Sequence, residues 1–424
     1  MSSLRKLVQH LLSHVLSDVG LMTLCNVLNN AVTFIASATI AALVSAEEFG
    51  VFSVAVNVTM MVFAVSEAGL SLSTVRQYNQ EQNEEIRKDI LRTGAVLRLA
   101  IATALLLLAI PLGFAFSLLM SPDHLINKEL TIGVIAAGAL GLWAYARSTQ
   151  QAMQNYKYYA GLTLLYGLIR LVTIAILYVA GIREAIVYLA GLYLSSPLII
   201  AAGFYHTYIR QNGLRANTLN FLQAKRLFAY GRWVLVSTLL SPLCYTLPLF
   251  FLMNQSGAKE AATYGVGLMF SAMVGPLSDA LGIFFVPKVT AFSNPLEVRT
   301  HIRRALRYLG PFLAGVSVAI GICSVAYGIL FAHKYPDGLL VMQLLFGATA
   351  LASFAGIVNC VTHYLGTPHL NMITNLVKIV LCGGIGWLLL PEYGAQGAAL
   401  AAAAAATIGE IALFVTIQYR LKRI

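Results

Sequence analysis

Charge is scarce in this sequence. Its 424 residues include 28 Lys and Arg and 17 Asp and Glu, so only 11% are charged, whereas 58% are hydrophobic. A soluble domain carries about 25% charged residues, and so few cannot give a chain of this length a water-facing coat. The shortage excludes an ordinary soluble domain, and lipid is expected to be the solvent for much of the surface.

The sequence also lacks the usual signatures of catalysis and metal binding. It has no Gly-rich phosphate loop, no H-E-x-x-H and no G-x-S-x-G. Its five cysteines lie in apolar stretches, without C-x-x-C or His spacing: Cys25, Cys244, Cys323, Cys360 and Cys382. We therefore predict a protein that is not an enzyme and that has no cofactor and no metal site.

Long apolar runs are what the sequence has in abundance. A membrane-spanning helix needs about 20 mostly apolar residues, and twelve runs meet that length. They are roughly 19–44, 49–75, 94–120, 130–154, 161–181, 185–208, 230–253, 261–287, 308–332, 338–364, 370–390 and 394–418. The polar links between them are short, so the prediction is an all-α integral membrane protein of about twelve transmembrane helices.

The positions of the basic residues orient these helices. With the N-terminus inside, 22 of the 28 Lys and Arg fall on cytoplasmic segments and four fall outside. Short cytoplasmic loops carry such an excess of basic residues. We therefore predict a multi-pass protein of a bacterial inner membrane with both termini in the cytoplasm. Because the net charge of +11 is spread over these loops, it indicates no nucleic-acid partner.

Two short matches indicate an internal repeat. Ser66-Glu67-Ala68 recurs as Ser278-Asp279-Ala280, and LIRLV at 168–172 recurs as LVKIV at 376–380. Both matches have nearly the same offset, which is close to half the length of the chain. The paired helices are six apart, so each half holds six helices and both halves share one orientation.

The repeat predicts two pseudo-symmetric six-helix lobes. The N-terminal lobe covers 1–212 and the C-terminal lobe covers 213–424. Two such halves are related by an axis along the membrane normal, with a central cavity between them. A substrate path is expected in that cavity.

Charged residues inside the predicted spans are the candidate functional groups: Glu67, Arg170, Asp279, Lys378 and Glu410. Such groups are costly in a bilayer unless they face a wet cavity or a partner. One interpretation is mutual neutralisation, Lys378 by Glu410 or Arg170 by Glu67. The other is a hydrated cavity in which the cations Arg170 and Lys378 hold an anionic headgroup and the three acids bind a proton or sodium.

Three further residues are candidates for substrate binding. Arg147 lies near the inner end of the fourth span, where it either reaches the membrane interface or lines the mouth of the cavity. Asn26 and Asn30 lie one turn apart in the first span, on a stripe continued by Thr33 and Ser37. That stripe fits a cavity wall or hydrogen bonding between helices.

Several loose motifs carry a family resemblance: EFGVFS at 48–53, SEAGL at 66–70, QAMQNY at 151–156, YLGTP at 364–368 and YGAQGAA at 393–399. With them, the whole chain resembles the polysaccharide exporters, or Wzx-type O-antigen flippases. These belong to the multidrug/oligosaccharidyl-lipid/polysaccharide (MOP) exporter superfamily.

The resemblance implies two lobes around a cationic cavity. It also implies a cargo of undecaprenyl-pyrophosphate-linked oligosaccharide, such as an O-antigen unit, carried from the inner to the outer leaflet by alternating access. Arg170 and Lys378 then become candidate contacts for pyrophosphate or acidic sugar. Other partners under this interpretation are membrane lipid, a proton or sodium counter-ion, and proteins of polysaccharide assembly.

Two alternatives remain open. A cation-coupled multidrug antiporter of the same superfamily would use Glu67, Asp279 and Glu410 as proton or sodium sites. A membrane polysaccharide polymerase would be expected to have a large periplasmic loop with basic catalytic residues. The longest outside link is only about ten residues, far below the size of a folded domain, so the polymerase is disfavoured.

Overall fold

The fold is described from a computed structural model. It describes residues 18–120, 126–206, 220–278, 281, 285, 289, 292, 294–365, 367 and 369–423. Every regular element in these residues is a helix, which confirms the all-α prediction. Ten of the helices are long and apolar enough to cross a membrane, and the protein is a multi-pass membrane protein. A total of twelve spans stays a prediction.

Seven helices make up the first half of the described chain: α1 Asp18–Leu43, α2 Ala46–Glu67, α3 Leu70–Gln80, α4 Glu84–Met120, α5 Asn127–Ala152, α6 Tyr156–Val179 and α7 Ala185–Phe204. The break between α2 and α3 has left-handed backbone at Ala68 (φ 47°) and Gly69 (φ 67°). Within α7, the segment Ala190–Ser195 is π-helical, a local widening that frequently marks functional sites.

Six helices follow in the second half of the described residues: α8 Phe221–Gln255, α9 Ala258–Ser271, α10 Pro295–Leu330, α11 Gly338–Asn359, α12 Val361–Tyr364 and α13 His369–Arg423. Gly394 interrupts α13 with non-helical backbone at φ 49° and ψ −129°. The carboxylate of Glu260 accepts a hydrogen bond from Ala395 N there, at 2.8 Å. The 54 residues of His369–Lys422 are enough for the two last predicted spans.

Helix positions recur at nearly the spacing of the sequence repeat. Ala46 opens α2 and Ala258 opens α9, while Asn127 opens α5 and Gly338 opens α11. These two pairs of helix starts have almost the same offset. Contacts divide the chain into two compact units, unit 1 with 1–36 and 55–236 and unit 2 with 37–54 and 237–424. The division into lobes at 212 and 213 stays a prediction.

Small residues set the packing in unit 1. A Cβ on Gly138 of α5 would lie 3.2 Å from the Cα of Ala102 on α4, so the two helices approach closely. Such small-residue contacts replace the hydrophobic driving force that is missing in lipid. As a result α5 is the most enclosed of the candidate spans and α4 is largely exposed. The polar residues Ser148, Thr149 and Gln150 near the end of α5 are buried.

Candidate functional site

Arg170 lies on α6 and is only 2% exposed. Its Nη1 donates to Thr33 Oγ1 at 2.7 Å and its Nη2 donates to Tyr193 Oη at 3.3 Å. The guanidinium also lies over the rings of Tyr166 and Tyr193, at 5.2 and 5.0 Å from their centroids. No carboxylate among the described residues forms an ion pair with it. Its charge is held by hydroxyls and aromatic faces.

Arg147 lies on α5 and is half-buried. Its Nη2 donates to Asn26 Oδ1 at 3.2 Å and also to Tyr159 Oη. The guanidinium sits 4.5 Å from the ring centroids of both Trp143 and Tyr159. Cation–π contacts of this kind contribute about 0.5–2 kcal/mol each. Arg147 therefore has the same kind of surroundings as Arg170.

The two arginines belong to one stack in unit 1. The rings of Trp143 and Tyr166 lie 4.5 Å apart and so connect the surroundings of Arg147 to those of Arg170. We call this series the arginine–aromatic ladder, in order: Tyr159, Arg147, Trp143, Tyr166, Arg170 and Tyr193. It draws on α5, α6 and the π-helical segment of α7, and it meets the polar stripe of α1 at Asn26 and Thr33.

Several buried polar atoms in and beside the ladder have no partner among the described residues. The donors are Nε of Arg147, Nε of Arg170 and Nε1 of Trp143, and the acceptors are Asn29 Oδ1 and Gln150 Oε1. A buried polar atom without a partner costs about 1–3 kcal/mol. The surplus of hydrogen-bond donors and positive charge fits an acceptor-rich, negatively charged ligand.

Glu67 is paired with a basic residue that was not among the charged candidates of the predicted spans. Arg98 of α4 is 3% exposed, and its Nη2 lies 2.8 Å from Glu67 Oε1. Glu67 also accepts from Ser71 N at 2.7 Å. The alternative pairing of Arg170 with Glu67 is therefore wrong. Arg98 falls within the predicted span 94–120, and that position was the signal that could have identified it as an intramembrane charge.

Lys378 and Glu410 also form an ion pair, which was one of the interpretations left open. Lys378 Nζ donates to Glu410 Oε1, and Glu410 Oε2 accepts from Asn359 Nδ2 at 2.7 Å. The lysine stem passes over Gly409, where a Cβ would lie 2.4 Å from its Cγ. A glycine at 409 is therefore needed for this arrangement.

The ion pair lies in a polar cavity of unit 2 with a volume of about 390 Å³. Hydroxyl and amide side chains line it: Ser241, Tyr245, Ser278, Thr349, Ser353, Asn359, Asn371, Thr374 and Asn375. Lys378 and Glu410 are its only charged lining residues in the described part of the chain. Because they neutralise each other, the cavity is polar without net charge.

The remaining candidates contribute less to these sites. Asn30 is half-buried on α1, one turn beyond Asn26. Asp279 lies outside the described residues. Within the described ranges no three His, Cys, Asp or Glu side chains come together as metal ligands would. The four aromatic residues of the ladder were missed, because a ring in an apolar helix has the same sequence signature whether it faces lipid or an arginine.

Comparisons with known proteins address the family. The model of the family described as polysaccharide biosynthesis protein matches residues 15–293. No curated protein matches the chain. Solved structures match almost its whole length, and their likeness at this low identity shows the fold.

Three of these structures are transporters. One is a MOP superfamily transporter from Pyrococcus furiosus Vc1, described by the reverse polarity of its binding pocket (12% identity, 96% of this chain and 95% of that chain, TM-score 0.66). Another is an outward-facing multidrug resistance MATE transporter (14% identity, 96% of this chain and 96% of that chain, TM-score 0.63). The third is the lipid II flippase MurJ in an inward closed conformation (14% identity, 94% of this chain and 87% of that chain, TM-score 0.59).

Proposed function

This chain belongs to the polysaccharide biosynthesis protein family, and from that premise we propose that it is a flippase of the MOP superfamily for a lipid-linked oligosaccharide. The cargo is an oligosaccharide on undecaprenyl pyrophosphate, carried from the inner to the outer leaflet. The arginine–aromatic ladder of unit 1 is the observation that carries the proposal. It offers two guanidinium groups to an anionic headgroup without a competing carboxylate among the described residues.

The chemistry of the cargo explains why such a ladder is needed. A pyrophosphate cannot cross hydrocarbon unaided, because moving its charge out of water is far too costly. Arginine binds phosphate oxygens in a bidentate manner, which a lysine cannot do. The free Nε donors of Arg147 and Arg170 could each complete such a pair. Aromatic faces meanwhile keep the cations in place without neutralising them.

The ion pairs of two candidate acids weigh against the multidrug antiporter. A proton- or sodium-coupled exporter of cationic drugs needs a buried carboxylate free to exchange its ion. Glu67 is paired with Arg98, and Glu410 is paired with Lys378. Of the three candidate acids only Asp279, which lies outside the described residues, is without an assigned partner. The flippase is therefore the better supported function.

Membrane orientation is part of the proposal. The excess of basic residues on one set of loops favours a bacterial inner membrane with cytoplasmic termini. Reporters fused after residue 90 or 300 should then read cytoplasmic, and those after 125 or 258 periplasmic. A periplasmic signal after residue 300 would contradict this orientation.

Substitution of Arg170 tests the proposed function directly. We expect Arg170→Ala to abolish delivery of the polysaccharide to the cell surface, and Arg170→Lys to retain part of it, because lysine keeps the charge but not the bidentate geometry. The assay is surface polysaccharide in a strain that lacks its own flippase, with membrane abundance measured in parallel. Arg183→Ala, at an exposed arginine, is the matched control. Wild-type export by Arg170→Ala at normal abundance would refute the proposal.

A further inference from the structure

The start of α10 differs from the rest of that helix. Between Leu313 and Ile329 one face carries exposed apolar side chains, as expected for a helix that faces lipid: Leu313, Val318, Ile322, Val325 and Ile329. The first turns are amphipathic instead. Val298, His301, Ile302 and Ala305 are buried on one face, and this spacing of three and four residues defines a single stripe.

Arginines crowd the opposite face of these turns. Arg299, Arg303, Arg304 and Arg307 are all exposed, against a single acid, Glu297. Arg299 donates to Leu421 O at 2.7 Å, near the end of α13. Asn294 holds Glu297 in a reciprocal cap, accepting from its N at 3.0 Å and donating to its Oε1 at 3.3 Å. The other three arginines form no ion pair with the described residues.

Beside this face lies a groove of about 700 Å³ in unit 2, within the roughly 300–1,000 Å³ of ordinary ligand sites. Apolar side chains form its floor: Phe285, Phe292, Phe354 and Ile357. Its exposed lining side chains include Arg304, Tyr308 and the one acid, Glu297. His301 is fixed beneath it, between the rings of Phe285 and Phe292 and with Nε2 3.1 Å from Ile357 O.

We infer that this groove binds an anionic two-chain phospholipid of the surrounding leaflet. The phosphate lies against Arg304, with Arg303 and Arg307 on adjacent positions of the helix, and one acyl chain fills the aromatic floor. Two features select this occupant. The groove opens where a lipid-facing helix becomes basic, which is where a bilayer presents its headgroups, and basic residues just beyond a membrane span attract anionic lipids.

A phospholipid here is distinct from the cargo of the proposed function. The groove lies on α10 and α11 of unit 2, and the ladder lies on α5, α6 and α7 of unit 1. None of the residues that line the groove belongs to the ladder. The inference can therefore fail or hold independently of what the protein transports.

Photo-cross-linking of a lipid to the full-length protein tests the inference. The probe is phosphatidylglycerol with a diazirine in one acyl chain, added to protein in phosphatidylcholine vesicles, and cross-linked peptides are located by mass spectrometry. We expect cross-links at the groove, around residues 292–308 and 354–357. A phosphatidylcholine probe with the same diazirine should label this region at least about tenfold less, since the headgroup contact is electrostatic.

Two variants separate the headgroup contact from the chain contact. Arg304→Gln with Arg307→Gln should weaken labelling about twenty-fivefold, at about fivefold for each basic residue. Thr300→Trp, at an exposed position that lines the groove, should displace the acyl chain and reduce labelling with every arginine present. Arg87→Gln with Lys88→Gln removes the same charge from another exposed helix start and should change nothing.

Three results would overturn the inference. Equal labelling by the two probes would mean an unselective lipid-facing surface. Full labelling of the Thr300→Trp variant would mean that no chain enters the groove. Displacement of phosphatidylglycerol by a tenfold lower concentration of polyprenyl phosphate would identify a carrier lipid as the occupant instead.

Discussion

Arg170 of unit 1 and Lys378 of unit 2 lie at matching places in the internal repeat, yet their surroundings differ. Arg170 is enclosed by the hydroxyls and rings of Thr33, Tyr166 and Tyr193. Lys378 is bonded to the carboxylate of Glu410. The difference comes from one acidic residue. The helix α7 of unit 1 has no Asp or Glu between residues 185 and 204, whereas the second part of α13 in unit 2 supplies Glu410.

This contrast indicates a division of labour between the units. A cation that an internal carboxylate already neutralises has little left to offer an anionic ligand, and its pair contributes structure instead. A cation held only by aromatic faces and hydroxyls keeps its charge available. We therefore expect changes at the arginine–aromatic ladder of unit 1 to affect transport first, and changes at the unit 2 pair to affect stability first.

Transport should be impaired most when Arg170 is given a carboxylate partner like that of Lys378. Tyr193 Oη lies 3.3 Å from Arg170, so Tyr193→Glu places a carboxylate beside it. We expect export to fall by about a hundredfold or more, because a charge pair at close range outweighs the contacts it replaces. Surface polysaccharide is the measurement. Tyr193→Phe, which keeps the ring, should retain most activity, and equal export by both variants would contradict the idea.

The converse change removes the partner of Lys378. Glu410→Ala leaves a buried ammonium without its carboxylate, and we expect a loss of about 3 kcal/mol in the free energy of unfolding. Lys378→Met combined with Glu410→Leu removes both charges and should recover most of that loss. Denaturation of the purified protein in detergent measures it. If the double variant is stable but does not export, Lys378 has a transport role beyond its ion pair.

A smaller effect is expected from the middle of the ladder. Trp143→Leu removes the ring that connects Arg147 to Tyr166, with a loss of about 1 kcal/mol of cation–π energy. That corresponds to about a fivefold weaker interaction with substrate, seen as a higher substrate concentration for half-maximal transport. Trp387→Leu, at an exposed position of unit 2, is the control. An unchanged half-maximal concentration would remove Trp143 from the site.

The smallest effect on transport is expected at the ion pair of unit 1. Glu67→Gln keeps an oxygen for Ser71 N and loses only the charge, and the Glu67 side chain is 17% exposed. Because the buried guanidinium of Arg98 is left without its counter-charge, we expect a loss of about 3 kcal/mol in unfolding free energy, with transport and its dependence on ion gradients unchanged. A change in gradient dependence would instead identify Glu67 as an ion-coupling residue.

Much of the fold could be predicted from the sequence, because membrane helices are defined by length and hydropathy alone. Each of the ten apolar helices overlaps at least one predicted span. The candidates Arg170, Arg147 and Asn26 were identifiable because a polar group in such a helix is conspicuous. The prediction did not identify α3 as a separate helix. Its composition assigned the first residues of α3 to the predicted span 49–75 and the rest to a polar link.

The partners of the candidate residues could not be predicted in the same way. Arg98 was not among the charged candidates, although it bonds Glu67 from α4. Tyr159, Tyr166 and Tyr193 were unremarkable in apolar helices. Which ring meets which arginine depends on the rotation and spacing of three helices, and those follow from tertiary packing around small residues. Hydropathy carries no information on the rotation or the spacing of the helices.

The break in α13 also limits how the family can vary in sequence. At Gly394 the backbone is in a region that side chains avoid, and a Cβ there would lie 2.6 Å from the Glu260 carboxylate. That carboxylate in turn holds the amide of Ala395. A larger residue at 394 is therefore strained by the backbone itself and would displace the Glu260 carboxylate from the Ala395 amide. Among relatives, we therefore expect the glycine at 394 and the acid at 260 to be kept together or lost together.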